Sequence, residues 1–308
     1  MQLVLSIIGG LLLFFSIAGF ILSRAVKAPV ARATVENLNA RIAAWWVMAI
    51  LVTAAILMGL GGTVVLFGVI SFLALREFIT LTPTHRGDHR ALFWIFFVFT
   101  PLQYVLIWRQ WYGLFTVLIP VFAFLAIPIR VSLAGDTSQF FERTAKIQWG
   151  LMICVYCLSH TAALLILDIP GYTGQNANLV LYLILIAQLS DVFQYVFGKL
   201  LGRHKIAPSV SPNKTWEGLI GGGLTAIALG AALYRITPFT ALESAAMSTV
   251  IVFMGFCGGL TMSAIKRDRG QKDFGSIIAG HGGVMDRIDS ICFAAPIFFH
   301  LTRYYFAS

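Results

Sequence analysis

Apolar residues run for membrane-spanning lengths along this chain, and polar residues collect in the gaps between them. The apolar runs are residues 1–22, 42–59, 62–75, 91–108, 114–129, 149–167, 179–197, 219–233, 245–264 and 288–301. A bilayer core about 30 Å thick is crossed by about 20 residues of helix. The pattern therefore predicts an all-α polytopic membrane protein with about ten transmembrane helices. Nine is the alternative count, because the joint at 59–62 leaves little room for a loop. The first run lacks a basic leader and a small-residue cleavage pattern, so it is expected to be a retained helix.

Composition agrees with this pattern. The chain is 58% hydrophobic and 11% charged, with a mean hydropathy of +0.85. A soluble domain of this length does not bury so much apolar surface. The charges sharpen the picture further. Alternate gaps, residues 23–41, 76–90, 130–148, 198–217 and 265–287, hold all the Lys and Arg residues except Arg109, Arg235 and Arg303. The positive-inside rule puts those gaps in the cytoplasm and, with ten spans, both termini outside. The expected location is the cell inner membrane. The net charge of +9 suits an anionic leaflet and anionic substrates, and it needs no nucleic-acid partner. Cys154, Cys157, Cys257 and Cys292 lie inside apolar runs and read as packing residues without a disulfide.

The chain divides by chemistry. Residues 1–148 read as a transmembrane scaffold and residues 149–308 as the catalytic region, where polar residues and glycines gather. In the first part, Arg76 and Glu77 read as a local ion pair at a helix end. His85 and His89 fall beside Pro83 and Gly87, which favour a turn over a metal-binding helix. Phe140, Phe141, Arg143, Lys146 and Trp149 suggest an interfacial amphipathic segment.

In the second part, Asp191 sits inside a span with Gln188 and Tyr195 on its face. A carboxylate there costs a few kcal/mol unless paired or wet, which marks it as a functional candidate. The following gap holds Gly198, Gly202, Lys205 and Ser211-Pro212-Asn213-Lys214-Thr215, then Glu217-Gly218. This looks like a turn feeding a helix N-terminus. Such an end offers free N–H groups to phosphate, and Lys214 adds a point charge. The glycines serve equally well for close helix packing. Residues 263–289 then place charges densely at a membrane face. Gly282-Gly283 would permit backbone approach to a ligand. Asp286 and Asp289 are three apart and share a helix face, where a hard divalent cation would relieve their repulsion. Asp191 and Asp273 would complete an oxygen-rich site. Lys266, Arg267, Lys272 and Arg287 remain to neutralise phosphates. Such a set points to phosphoryl or nucleotidyl transfer.

These residues also form a motif. Ser263-x-x-Lys266-Arg267, then Lys272-Asp273-x-Gly275, then His281-Gly282-Gly283-x-x-Asp286-Arg287-x-Asp289 resembles the signature of the phosphatidate cytidylyltransferases. Asp191-x-x-x-Tyr195-x-x-Gly198 and Ser211-Pro212-x-Lys214-Thr215-x-Glu217-Gly218 resemble that family's preceding region. The resemblance is strong over residues 187–301, and the N-terminal half matches mainly in hydropathy. Two departures, Gln194 and Ala279, remove no charge. Gln194 stands beside Asp191 and bears on the lipid substrate.

The resemblance implies transfer of CMP from CTP to phosphatidate, giving CDP-diacylglycerol and diphosphate. It assigns catalysis to Asp191, Asp273, Asp286, Asp289, Lys266, Arg267, Lys272 and Arg287. It implies substrate contacts from Ser211, Lys214, Thr215, Glu217, His281, Gly282 and Gly283. The four aspartates would hold Mg²⁺, with a second, monovalent cation as a further candidate, and a homodimer is an open expectation. Two alternatives stand beside this reading. One is a CTP-dependent lipid kinase, or a cytidylyltransferase for another lipid phosphate. The other is an ion-coupled transporter with Asp191 in its substrate site.

Overall fold

A computed structural model of the chain describes residues 2–25, 29–82, 84–275, 277 and 282–307. Among these residues the helices are α1 (Gln2–Ala25), α2 (Pro29–Leu57), α3 (Gly59–Leu81), α4 (Arg86–Trp108), α5 (Tyr112–Ser132), α6 (Phe140–Ile166), α7 (Ala177–Leu200), α8 (Trp216–Ala232), α9 (Ala241–Asp268) and α10 (Met285–Phe306), apart from short helical turns. Each apolar run falls on its own helix. Eight of them, α1–α7 and α9, are long and apolar enough to cross a membrane. Helix α8 is shorter, at 17 residues, and α10 opens on the charged residues Asp286, Arg287 and Asp289. The protein is an all-α polytopic membrane protein. Its β structure among the described residues is one hairpin, β1 (Lys205–Ala207) against β2 (Ser211–Thr215). The strands are antiparallel, with Lys205 opposite Thr215 and Ala207 opposite Ser211.

The tight joint between the second and third runs is a helical hairpin. Helices α2 and α3 are separated by Met58 alone, and Gly59 takes φ +74°, a left-handed conformation that glycine adopts without penalty. The gap at 23–41 is not a loop as expected. Helix α2 already begins at Pro29, and its span begins only at Asn39. Residues 29–38 include Ala, Arg, Glu and Leu, good helix formers that extend α2 beyond its apolar part.

Helix α6 is the centre of the bundle, with 67% of its apolar span buried, whereas α1 and α2 each bury 11% of theirs. The expected boundary at 148/149 falls inside α6. Helices α4, α5 and α6 widen to π-type turns at Ile95–Phe99, Leu118–Ala123 and Met152–Cys157. Pro101 follows the first and Pro120 lies in the second, and each removes an N–H from the helical ladder. Phe115, Tyr182, Phe298 and Phe299 fill the core between α5, α7 and α10.

A polar clasp joins α4 to α6. Arg143 donates through Nη2 and Nε to Asp88 at 2.6–3.1 Å, and through Nη1 to the Ser138 carbonyl at 2.7 Å. The same Nη1 lies 2.9 Å from Asp136. Arg143 and Asp88 have side chains only 1% exposed. Phe141 is exposed, as an interfacial residue would be, but Arg143 points into the protein. His85 donates its backbone N–H to Asp88 and sets its ring against Asp136, so it works in the same clasp.

Breaking a buried ion pair by removing one partner costs about 3–5 kcal/mol, because the other charge is stranded. Arg143→Ala is therefore expected to lower the melting temperature in detergent sharply. Arg32→Ala, which breaks an exposed pair with Glu36, should move it by no more than a degree or two, since such pairs contribute about 0–1 kcal/mol. Equal melting temperatures for the two variants would refute the clasp.

Candidate functional site

Four of the basic gaps, at 76–90, 130–148, 198–217 and 265–287, meet at one end of the bundle. His85 and Asp88 meet Asp136 and Arg143, Arg269 lies 3.8 Å from Glu142, and Lys214 reaches α9 beside Asp289. At this end α7 and α10 bring two carboxylates together. The Ser290 hydroxyl donates to Asp191 at 2.5 Å and lies 3.3 Å from Asp289 Oδ1. The Ser290 N–H donates to the same Asp289 oxygen at 2.8 Å. One turn earlier on α7, the Gln188 amide donates to the Arg287 carbonyl at 3.0 Å and fixes the two helices in register. Asp191 and Asp289 are thus bridged by one small hydroxyl.

Lys214 arrives from β2. Its ammonium donates to the Phe256 carbonyl at 3.2 Å and sits 4.5 Å from the centre of the Phe256 ring. Two glycines of α9 make room, Gly259 for Lys214 and Gly258 for α10. A Cβ on Gly259 would lie 2.8 Å from Lys214 Nζ and 3.9 Å from Asp289 Oδ2, and one on Gly258 would lie 2.6 Å from the Asp289 carbonyl. Burial pulls the Lys214 ammonium below its ordinary pKa, while Asp191 and Asp289 pull it up. Arg287 is half-buried, and its Nε has no partner among the described residues.

Asp286 faces a different set of partners. Lys266 Nζ donates to its Oδ1 at 2.7 Å. The N–H groups of Phe274 and Gly283 donate to its Oδ2 at 2.8 and 2.9 Å. Its side chain is 3% exposed. Asp273 is exposed and lies beside Gly282, whose φ of +82° and tight surroundings require glycine. The four aspartates expected around one cation therefore fall into two pairs, Asp191 with Asp289 and Asp273 with Asp286. Among the described residues, no three His, Cys, Asp or Glu side chains gather as a metal site. The first pair still fits Mg²⁺, which commonly takes one or two carboxylates and completes its shell with water and substrate phosphate. In the second pair, the Asp286 oxygens are already engaged by Lys266 and two amides.

The remaining expected residues are placed as follows. Thr215 is buried, and its hydroxyl caps α8 by accepting the Gly218 N–H at 3.1 Å. That occupies one of the N–H groups expected to meet phosphate. Glu217 accepts the N–H groups of Arg203 and His204 and the His204 ring, closing the hairpin. Ser211 opens β2, half-buried. Arg267 is exposed and donates to the Gln271 carbonyl at 2.8 Å, and Lys272 is exposed. Gly283 is buried against Glu77 of α3. His281 lies outside the described residues, as does Ala279. Gly198, Gly202 and Gly218 surround Thr215, and a Cβ on Gly222 would collide with the Gln194 backbone. These glycines serve the close packing of α7 on α8. The Gln194 side chain turns back along its own helix to Ser190.

Four features escaped the motif: Ser290, the Gly258–Gly259 pair, Phe256 and Glu77. Ser290 adjoins a motif aspartate, and paired glycines in a span are a packing signal, so both were visible as signals. Glu77 was read as a local partner of Arg76. Its carboxylate instead accepts the Val284 and Met285 N–H groups at 2.9 Å each, more than 200 residues along the chain.

Residues 39–305 match the model of a family described as the cytidylyltransferase family. The chain is 41% identical to the uncharacterized protein YnbB of Escherichia coli (strain K12) over 265 residues, which is 86% of this chain and 87% of that protein. It is 36% identical to the phosphatidate cytidylyltransferase of Staphylococcus saprophyticus over 157 residues, and 35% identical over the same length to that of Staphylococcus aureus (strain COL). Those two matches span half of this chain and 60% of the staphylococcal proteins.

The two aspartates of α10 should separate in a stability measurement. Asp286→Ala strands the Lys266 ammonium and two amides, and should cost about 3–5 kcal/mol. Asp289→Asn removes one of two facing like charges and should change stability by less than about 1 kcal/mol. Melting curves in detergent without substrate decide this, and equal losses would contradict the assignment.

Proposed function

This chain belongs to the cytidylyltransferase family, and we propose that it transfers CMP from CTP to phosphatidate, releasing diphosphate. The observation that carries this reading is the approach of the Lys214 ammonium, past Gly259, toward Asp289 and the Asp191 bridged to it by Ser290, at the end of the bundle where four basic gaps meet. A lipid phosphate and a soluble nucleotide can meet only at such a membrane face. The concentration of Lys and Arg there supports placing the site on the cytoplasmic side of the inner membrane.

The reaction needs little proton chemistry. The lipid phosphate is already anionic, and its oxygen attacks the α-phosphorus of CTP. A P–O bond forms there as the bond to the β-phosphate breaks. Catalysis is then positioning and charge compensation. Lys214 holds a phosphate from the hairpin side. Arg287 offers from α10 an Nε that has no partner among the described residues. Lys266 acts through Asp286, fixing the start of α10. Asp191 and Asp289 would hold Mg²⁺, which when bound offsets the charge on the departing diphosphate.

The test is the position of label. With purified protein, Mg²⁺ and phosphatidate, label from α-³²P-CTP is expected in the lipid. Label entering from γ-³²P-CTP would establish the kinase instead. Lys214→Ala removes a charge-assisted contact of roughly 1.5–3 kcal/mol, so kcat/KM for CTP should fall about tenfold or more. Unchanged kcat and KM for both substrates would remove the hairpin from the site.

A further inference from the structure

We propose that Glu77 is a positioning residue of the transferase site, and that Gly275 and Gly283 exist to admit its carboxylate. Glu77 sits near the end of α3, 5% exposed. Its Oε1 accepts the Val284 N–H and its Oε2 the Met285 N–H, each at 2.9 Å. These amides lie at the start of α10, where a helix leaves N–H groups without internal partners. The next amide back, Gly283, is taken by Asp286. Three consecutive N–H groups are thus shared between two buried carboxylates, one from α3 and one from α10 itself.

The glycines fit this arrangement closely. A Cβ on Gly275 would lie 2.7 Å from Glu77 Oε1, and one on Gly283 would collide with the same carboxylate. Both sides of the segment between α9 and α10 therefore pack against Glu77. The Gly282–Gly283 pair had suggested backbone approach to a ligand, and the group that Gly283 faces is a side chain of this protein.

The consequence reaches the reacting groups. Asp289 is one turn into α10, and its separation from Asp191 is set by where that turn sits. Glu77 fixes that turn from outside, and its negative charge complements the positive end of the helix. Both of its oxygens are taken by amides of this chain, so its effect should appear in turnover more than in CTP affinity. This part of the inference rests on the transferase reading, whereas the contact itself does not.

Hydrogen exchange and kinetics on the full-length protein test both parts. Glu77→Gln keeps the shape but opposes an NH₂ group to one of the two amides. Exchange in peptides covering residues 283–286 is expected to rise about tenfold. The value of kcat should fall at least tenfold with KM for CTP changed less than threefold. Gly283→Ala, which displaces the carboxylate, should raise exchange similarly, and should add little further in the presence of Glu77→Ala. It also supplies the reading if Glu77→Gln does not fold. Unchanged exchange in both single variants would overturn the contact. Raised exchange with unchanged kcat would overturn the positioning role. If the wild-type protein transfers no CMP, the proposed reaction fails alone, and the exchange result still decides whether Glu77 holds α10.

Discussion

Lys266 stands two residues before the end of α9 with its ammonium buried, and Asp286 is its counter-charge at 2.7 Å. Such a pair is a poor source of net stability, because desolvation offsets the attraction. Its value here is geometric. The same carboxylate collects the amides of Phe274 and Gly283, so one side chain joins α9, the segment after it and the first turn of α10. That joint, together with Glu77, sets where α10 begins. Asp289 can face Asp191 only if α10 starts where Asp286 and Glu77 hold it.

A division of labour among carboxylates follows. Asp286 and Glu77 are spent on backbone amides and a lysine. Asp191 and Asp289 share one serine hydroxyl and keep capacity for a cation or for Lys214. The bundle makes this affordable by close packing. Gly258 and Gly259 on α9 let Lys214 and Asp289 approach. Gly218 and Gly222 bring α8 against α7, which carries Asp191. Glycines that resemble a phosphate loop in sequence work largely as spacers between helices.

The membrane architecture was legible because a bilayer imposes a length: each of the ten apolar runs fell on its own helix, and eight of those helices are long and apolar enough to cross a membrane. Asp191 stood out because a carboxylate inside an apolar run is rare, whereas Lys214 stood out as a cation just ahead of a helix N-terminus. The roles of Asp286 and Asp289 were not separable in the sequence. Residues three apart on a helix point about 60° from each other, enough to aim one at Lys266 and the other at Asp191. Thr215 could have been read as a helix cap, since Thr is a favoured N-cap residue and stands shortly before the apolar run at 219–233. Glu77 and Arg143 could not be placed, because their partners lie far along the chain and local spacing carries no information about them. The hairpin at 205–215 was hidden by its short strands and by Pro208 and Pro212, which suggest only a turn.

The central claim is that Asp289 acts on substrate while the Lys266–Asp286 pair acts on structure. The most direct measurement is the affinity of a slowly reacting CTP analogue with Mg²⁺, by calorimetry in detergent, for two proteins compared with wild type. One carries Asp289→Asn. The other carries Lys266→Met with Asp286→Asn, which removes both buried charges together and keeps an acceptor for one amide. The account predicts that the double variant folds and binds within about threefold of wild type, whereas Asp289→Asn weakens binding about tenfold or more. A folded double variant that loses binding as severely as Asp289→Asn would place Lys266 and Asp286 on the substrate and contradict the account.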